Sequence, residues 1–442
     1  MMKKIWTIAL ITVCSSACNK FLDVKPKGVI IPEKLTDFEG LLNSQKMMLS
    51  FPEALMYCTD DYYGVYNEQE KSMQANAYYW QPNIDVNDQI SPAIWGSGYE
   101  IIYRANVIIN NVMKATESSE QQRRQILGEG MAARAEAYFN MLTAFAKAYN
   151  PATANSDPGL PLVTSTNVTT QIPQRSSVQT TLDSVIHDLQ LAVTMLPEQN
   201  INRYRCTKYA ACGMLSRIYL YIGNYGEADR FADSALKARH ELLNYNNFES
   251  SNDFPVNDFN PEVLWQRGCD NYMIPSGMLY SDTLRSLFRE GDLRYSYLTE
   301  NTQEGVVRTI ANGSANFGIT FPELYLTRAE VAARKGNIPA AMDFVNFLRK
   351  TRFEKDNYTP SSAATQEEAL DIVLAERRRE LAFSGQRWMD MKRLDRDGRM
   401  PAIKRVNRET GAVITVLEPN SRHYTFQIPA RVRKFNPSIS IN

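Results

Sequence analysis

Two short stretches, GNYGEADRF at 223–231 and GNIPAAMDF at 336–344, repeat one pattern: Gly-Asn, an Ala five residues after the Gly, then a Phe three further on. Each lies between segments of helical period, 208–222 before 226–238 and 321–335 before 339–349. A Gly-Asn pair suits a tight turn between antiparallel helices, because Gly ends one helix in the left-handed region and Asn favours turns. The small Ala lets the two helices approach closely. A chain built this way must bury helix against helix.

This is the logic of a tetratricopeptide-type hairpin. Two copies establish helical hairpins and not a long solenoid. Segment 92–113 places Trp95, Tyr99, Ile102, Tyr103, Asn106 and Ile109 on one helical face, and 129–149 does the same through Met131, Ala135, Tyr138, Leu142 and Phe145. The second is a candidate member of a third hairpin. Segment 178–196 reads as helix and stops at Pro197. The fold class is therefore mostly all-α. Segments 57–88 and 244–316 are different: aromatic, rich in Asn, Asp, Ser, Gly and Pro, and without period. They read as long irregular loops, where binding function concentrates.

Composition narrows the function. The chain has 442 residues, 44% of them hydrophobic, enough for a sizeable core. It carries 49 basic and 49 acidic residues. Such a balance gives no general pull on nucleic acid or on an anionic membrane. The N-terminus has the three parts of an export signal: Lys3 and Lys4, the apolar run 5–13, and the small residues Ser15, Ser16 and Ala17 before Cys18. This mostly apolar run of nine residues is too short to span a bilayer, which takes about 20. Cleavage at Cys18 would make it the first residue, open to acylation as in bacterial lipoproteins; ordinary cleavage nearby would leave it a spare thiol. Acyl chains such as palmitate anchor through about 0.8 kcal/mol per buried methylene.

After processing, Cys58, Cys206, Cys212 and Cys269 remain, and four cysteines allow three pairings. Cys206 and Cys212 read as sharing one helix, about 9 Å apart along its axis, too far for a disulfide. His187, His240 and His423 are isolated, with no zinc spacing and no HExxH. No GxGxxG or Walker loop appears, so neither a metal nor a cofactor is expected.

The most charged stretch, LAERRRELAFSGQRWMDMKR at 374–393, interleaves Glu376, Glu380 and Asp390 with arginines. Glu376 with Arg379, and Glu380 with Arg377, are at helical neighbour spacing and can pair. The expectation is an ion-paired structural helix that covers the core through Leu381, Phe383 and Trp388. Its pattern, ERRREL-x-F-x-G-x-R-W-x-D-x-K-R, resembles the SusD/RagB nutrient-binding lipoproteins of Gram-negative bacteria, with Ser384 and Gln386 flanking the Gly where members usually carry Glu and His. CNKFLDVKP at 18–26, AARAEAYFNMLTAFAKAYN with DPGLPLV, both repeat hairpins, and YTFQIPARVRKFNPSI at 424–439 resemble further parts of that family, in order along the chain.

The resemblance implies a cell-surface protein, lipid-anchored to the outer membrane through Cys18. It would act as lid of a partner SusC-like TonB-dependent β-barrel, to which it delivers captured oligosaccharides or, in some branches, peptides. It implies no catalysis. The division is a signal at 1–17, a SusD-like N-terminal region at 18–261 and a RagB/SusD C-terminal region at 262–442, in one compact structural domain. The rival is a secreted glycosidase, which needs two carboxylates about 5–10 Å apart; Asp60 and Asp61 are among many acids here, and no motif singles out a pair. The ligand site is expected as an aromatic platform on the two irregular segments, which concentrate Tyr62, Tyr63, Tyr66, Tyr78, Tyr79 and Trp80 in the first and Tyr272 and Tyr280 in the second. Trp80, Tyr63, Tyr62, Tyr79 and Tyr272 are the candidate contacts, with Trp80 foremost. Trp95 and Trp265 read as helix and core.

Overall fold

Helices dominate, and their ends follow from the residues that stand there. The computed structural model describes residues 32–167, 173–271, 274–310 and 315–442. The expected signal, Cys18 and Tyr272 lie outside the described residues.

Helix α1 (Ala93–Asn111) packs on α2 (Glu120–Phe145), which packs in turn on α3 (Val178–Met195). Helix α2 begins at Glu120 instead of at 129, because Ser119 and Gln122 close a capping box around its first turn. That first stretch is largely polar and exposed, so it carries no apolar period to read. Helix α4 (Lys208–Ile222) starts at Thr207, whose hydroxyl accepts from the Ala210 N–H. Cys206 therefore precedes this helix and does not share it with Cys212.

The repeat is a turn in which both leading residues have a task. Gly223 ends α4 at φ 83°. Asn224 then caps α5 (Tyr225–Ala235) by accepting from the Glu227 N–H. Gly336, at φ 76°, follows α6 (Phe321–Arg334), and Asn337 caps α7 (Ile338–Arg349) by accepting from the Ala340 N–H. Ala228 and Ala341 are fully buried at the close approach within each hairpin. Helix α6 also packs on α8 (Gln366–Glu380), which leads into α9 (Arg387–Arg396).

The irregular segments contain short strands. β1 (Tyr62–Tyr63) belongs to 57–88; β2 (Leu279–Tyr280), β3 (Thr299–Thr302) and β4 (Gly305–Arg308) belong to 244–316. They form one antiparallel sheet in the order β1-β2-β4-β3. A separate hairpin pairs β5 (Ile403–Val406) with β6 (Val413–Leu417). Trp265 is core, as expected, but sits in the strand Val263–Trp265 and not in a helix.

The 374–393 region is ion-paired and buried. Glu376 is fully buried and accepts from Arg294, Arg349 and Arg379 at 2.6, 3.0 and 2.6 Å. The expected Glu380–Arg377 pair does not form. Arg377 turns toward α9 and donates to Asp390 at 2.8 Å, while Glu380 takes Arg294 and Arg352 at 2.8 Å each. Trp388 is 1% exposed and donates to the Thr143 carbonyl near the end of α2. Cys58, Cys206, Cys212 and Cys269 are buried free thiols. No helix among the described residues is long and apolar enough to cross a membrane.

Candidate functional site

Two stretches far apart in sequence meet at β1 and β2, where Tyr62 lies opposite Tyr280 and Tyr63 opposite Leu279. Just beyond the pairing, Ser281 donates from its N–H to the Asp61 carbonyl at 2.8 Å and from its hydroxyl to the Asp60 carbonyl at 2.6 Å. A groove of about 570 Å³ opens here. That volume suits a small ligand or a few sugar rings. Its walls are Tyr62, Tyr63 and Tyr78 from the first segment, residues 281–283 from the second, Arg378 and Arg387, and the outer strand β5.

The tyrosines do not contribute equally. Tyr63 is half-buried and its ring borders the groove, with the Arg408 guanidinium 5.6 Å from its centroid. Tyr62 is mostly buried; its hydroxyl pairs with that of Tyr66 at 3.1 Å. Tyr79 lies in the interior and donates to the Tyr66 carbonyl at 2.8 Å, and burial pushes its phenol up to about 12. Trp80, the foremost candidate, is a core residue. It is 2% exposed, its indole donates to the Cys58 carbonyl at 2.8 Å, and one ring face is covered by Arg405 at 4.3 Å. It takes φ 53°, in the left-handed region. Tyr280 is also buried, with its ring tilted against that of Phe383 at 5.0 Å and edge-on to that of Tyr295.

Residues outside the expected segments shape the groove. Arg405 on β5 is 4% exposed and lies against the rings of both Tyr78 and Trp80, at 3.9 and 4.3 Å. It donates to the carbonyls of Thr59, Tyr62 and Tyr78 at 2.9, 3.0 and 3.1 Å. This one side chain ties the first irregular segment to the hairpin. The available sequence signal was the β-rich run AVITVL after Asn407–Gly411, which marks a hairpin but not the inward arginine.

Beneath the groove, Asp60 accepts from Arg387 at 2.6 and 2.8 Å, and Asp61 accepts from Arg378 at 2.7 Å. Burial opposes charge on Asp60, but the Arg387 and Arg378 guanidiniums outweigh it and hold this carboxyl well below the usual range. Burial prevails at Asp61, whose pKa is raised. Among the described residues no cluster of three His, Cys, Asp or Glu could hold a metal ion. A second cavity, of about 560 Å³, lies against Trp95, Tyr99 and Tyr103 of α1, away from both irregular segments.

Known proteins agree with this architecture. A family model described as "Starch-binding associating with outer membrane" matches residues 20–220, and the SusD family model matches 294–439. The SusD-like protein P38 of Formosa agariphila is 22% identical, over 86% of this chain and 89% of that protein. A SusD superfamily structure from Bacteroides thetaiotaomicron superposes with a TM-score of 0.76 at 22% identity, over 92% of this chain and 99% of that one. A laminarin-binding SusD-like protein superposes with a TM-score of 0.61 at 19% identity, covering 83% and 92%. With family models accounting for both its N-terminal and its C-terminal parts, the chain belongs to the SusD family.

Proposed function

We propose that this protein is a non-catalytic, lipid-anchored outer-membrane protein that captures oligosaccharides in the β1–β5 groove and passes them to a SusC-like TonB-dependent β-barrel. The observation that carries this reading is the meeting of Tyr62, Tyr63 and Ser281 from distant irregular segments in one groove of about 570 Å³. The half-buried Tyr63 ring offers a flat apolar face for a sugar, at low entropy cost. The family's starch-binding description and the laminarin-binding neighbour support a glycan as ligand. The adjacent carboxylates Asp60 and Asp61 are tied to Arg387 and Arg378, which leaves them unsuited as a free acid–base pair and speaks against a glycosidase.

The test is calorimetric titration with a panel of starch- and laminarin-derived oligosaccharides. Tyr63→Ala should weaken binding roughly five- to tenfold, about 1–1.4 kcal/mol. Tyr103→Ala, in the second cavity, should leave it unchanged. Failure of every glycan in a broad panel to bind would overturn the reading, and loss of affinity in Tyr103→Ala alone would move the site.

A further inference from the structure

We propose that the groove selects oligosaccharides bearing carboxylate or sulfate groups; this rests on the glycan-binding role proposed above and adds a charge preference to it. Five basic side chains line the groove against three carboxylates, in a chain whose formal charge is zero. What matters is which of these charges already have partners. Asp60 is engaged by Arg387 and Arg378. Asp371 is engaged by Arg399 at 3.2 Å, and Asp282 at the rim by Arg285 at 2.9 Å. Every carboxylate of the lining is therefore paired.

The cations of the β5 wall are not. Lys404 is exposed on β5, and Arg408 is exposed just past its end. Neither has a carboxylate within 4.0 Å among the described residues, including the neighbouring Glu304 and Glu409. Arg408 instead donates to the Glu304 carbonyl oxygen. Between them Arg405 points inward onto carbonyls and rings, also without an ion-pair partner among the described residues. Lys404 and Arg408 thus present positive charge that no carboxylate among the described residues pairs with.

Its position relative to Tyr63 gives that charge a use. The Arg408 guanidinium lies 5.6 Å from the centre of the Tyr63 ring. A sugar bound in the groove beside that ring would bring its substituents to the β5 wall, where Lys404 lines the groove and Arg408 lies over the Tyr63 ring. A hydroxyl there gains a hydrogen bond; a carboxylate or sulfate gains a charge-assisted and bidentate one, roughly twice as strong.

The experiment compares three probes on the purified protein: a neutral laminari-oligosaccharide, an oligogalacturonate and a sulfated carrageenan oligosaccharide. At low salt, one of the anionic probes should bind at least about tenfold tighter than the neutral one, and its advantage should shrink as salt rises and the screening length falls from about 10 Å toward 3 Å. The double variant Lys404→Gln, Arg408→Gln should lose about tenfold for the anionic probe and stay within about twofold for the neutral one. Both sites are exposed, so a circular dichroism spectrum unlike the parent's is not expected. Whichever anionic probe responds distinguishes carboxylate from sulfate recognition. Equal or tighter binding of the neutral glycan overturns the charge preference alone. So does a double variant that leaves anionic binding intact or weakens both classes alike. Absence of binding by all three probes overturns the glycan-binding role along with it.

Discussion

Replacing Arg405 with Met should loosen the groove as well as the fold. The guanidinium makes three well-formed hydrogen bonds, to the Thr59, Tyr62 and Tyr78 carbonyls, and a fourth contact at 3.5 Å to the Tyr57 carbonyl that is too long to count for much. Three charge-assisted bonds are worth about 5–9 kcal/mol in gross terms. The two ring faces add about 2 kcal/mol. Against this stands the cost of holding a guanidinium out of water with no carboxylate partner among the described residues. That cost is real, since burial pushes the Arg405 pKa down from its ordinary value; such penalties run to several kcal/mol. Met fills the space without the charge but leaves the three carbonyls unpaired. The net loss should be about 2–4 kcal/mol, a sizeable part of a total stability of about 5–15 kcal/mol.

Urea unfolding followed by tryptophan fluorescence reads this as a lower midpoint with an unchanged slope. Because Arg405 ties the 57–80 segment to β5, glycan affinity should fall as well, in protein that is still folded. Arg405→Lys should recover less than half of the loss, because one ammonium cannot span three carbonyls or stack between two rings. Two results would refute the reasoning: a Met variant within about 0.5 kcal/mol of the parent with unaltered glycan affinity, or full recovery by Lys.

Trp388→Ala should cost about 3–5 kcal/mol in the same assay and leave the affinity of the folded protein unchanged, because the ring packs beneath α2 and away from the groove; a stable variant that had lost only binding would contradict this. Lys392 is buried with its ammonium donating to the Thr143 carbonyl at 2.8 Å and the Ala146 carbonyl at 2.5 Å, and burial lowers its pKa to about 7. The unfolded chain, with a lysine pKa of about 10.4, then binds more protons than the folded chain at intermediate pH, so this residue makes stability rise from about pH 7 to pH 10. Lys392→Met should flatten that rise, and a variant with the parent's pH slope would show that the residue titrates normally. Cys18→Ala should move the protein from the membrane fraction to the soluble one; continued membrane partitioning with palmitate labelling would exclude Cys18 as the anchor.

The helical hairpins were legible because their determinants are local. Gly223 and Asn224, or Gly336 and Asn337, act within one turn of each other, and a period of 3.6 repeats over enough residues to be seen. The groove was legible only as two segments. Strands β1 and β2 are two residues each, too short to show alternation, and their pairing joins positions that no sequence window contains. Trp80 shows the same limit. A run of aromatic residues before a proline looks like an exposed platform until its partner is known, and that partner, Arg405, lies on a hairpin near the other end of the chain. The Glu380–Arg377 expectation failed for a related reason: helical spacing states which side chains can meet, while the distant Arg294, Arg352 and Asp390 decided which did.

The same long-range charges tie the stretch that reads as structural to the one that reads as functional. Arg378 and Arg387 belong to the arginine-rich 374–393 segment, yet their carboxylates, Asp60 and Asp61, immediately precede β1. Asp60 keeps its charge against the penalty of burial because two guanidiniums hold it, whereas Asp61 is raised by burial and has one carboxyl oxygen without a hydrogen-bond partner. An anion held by two fixed donors cannot drift by much, since each ångström of displacement weakens several charge-assisted bonds together. The backbone carbonyls of these same two residues receive Ser281, so the ion pairs also fix where β2 meets β1. Tyr63 follows Asp61 by two residues, and its ring position depends on that anchorage. Arg378 and Arg387 therefore help to fix where Tyr63 stands, and in this part of the molecule removing a structural charge should also shift the groove wall.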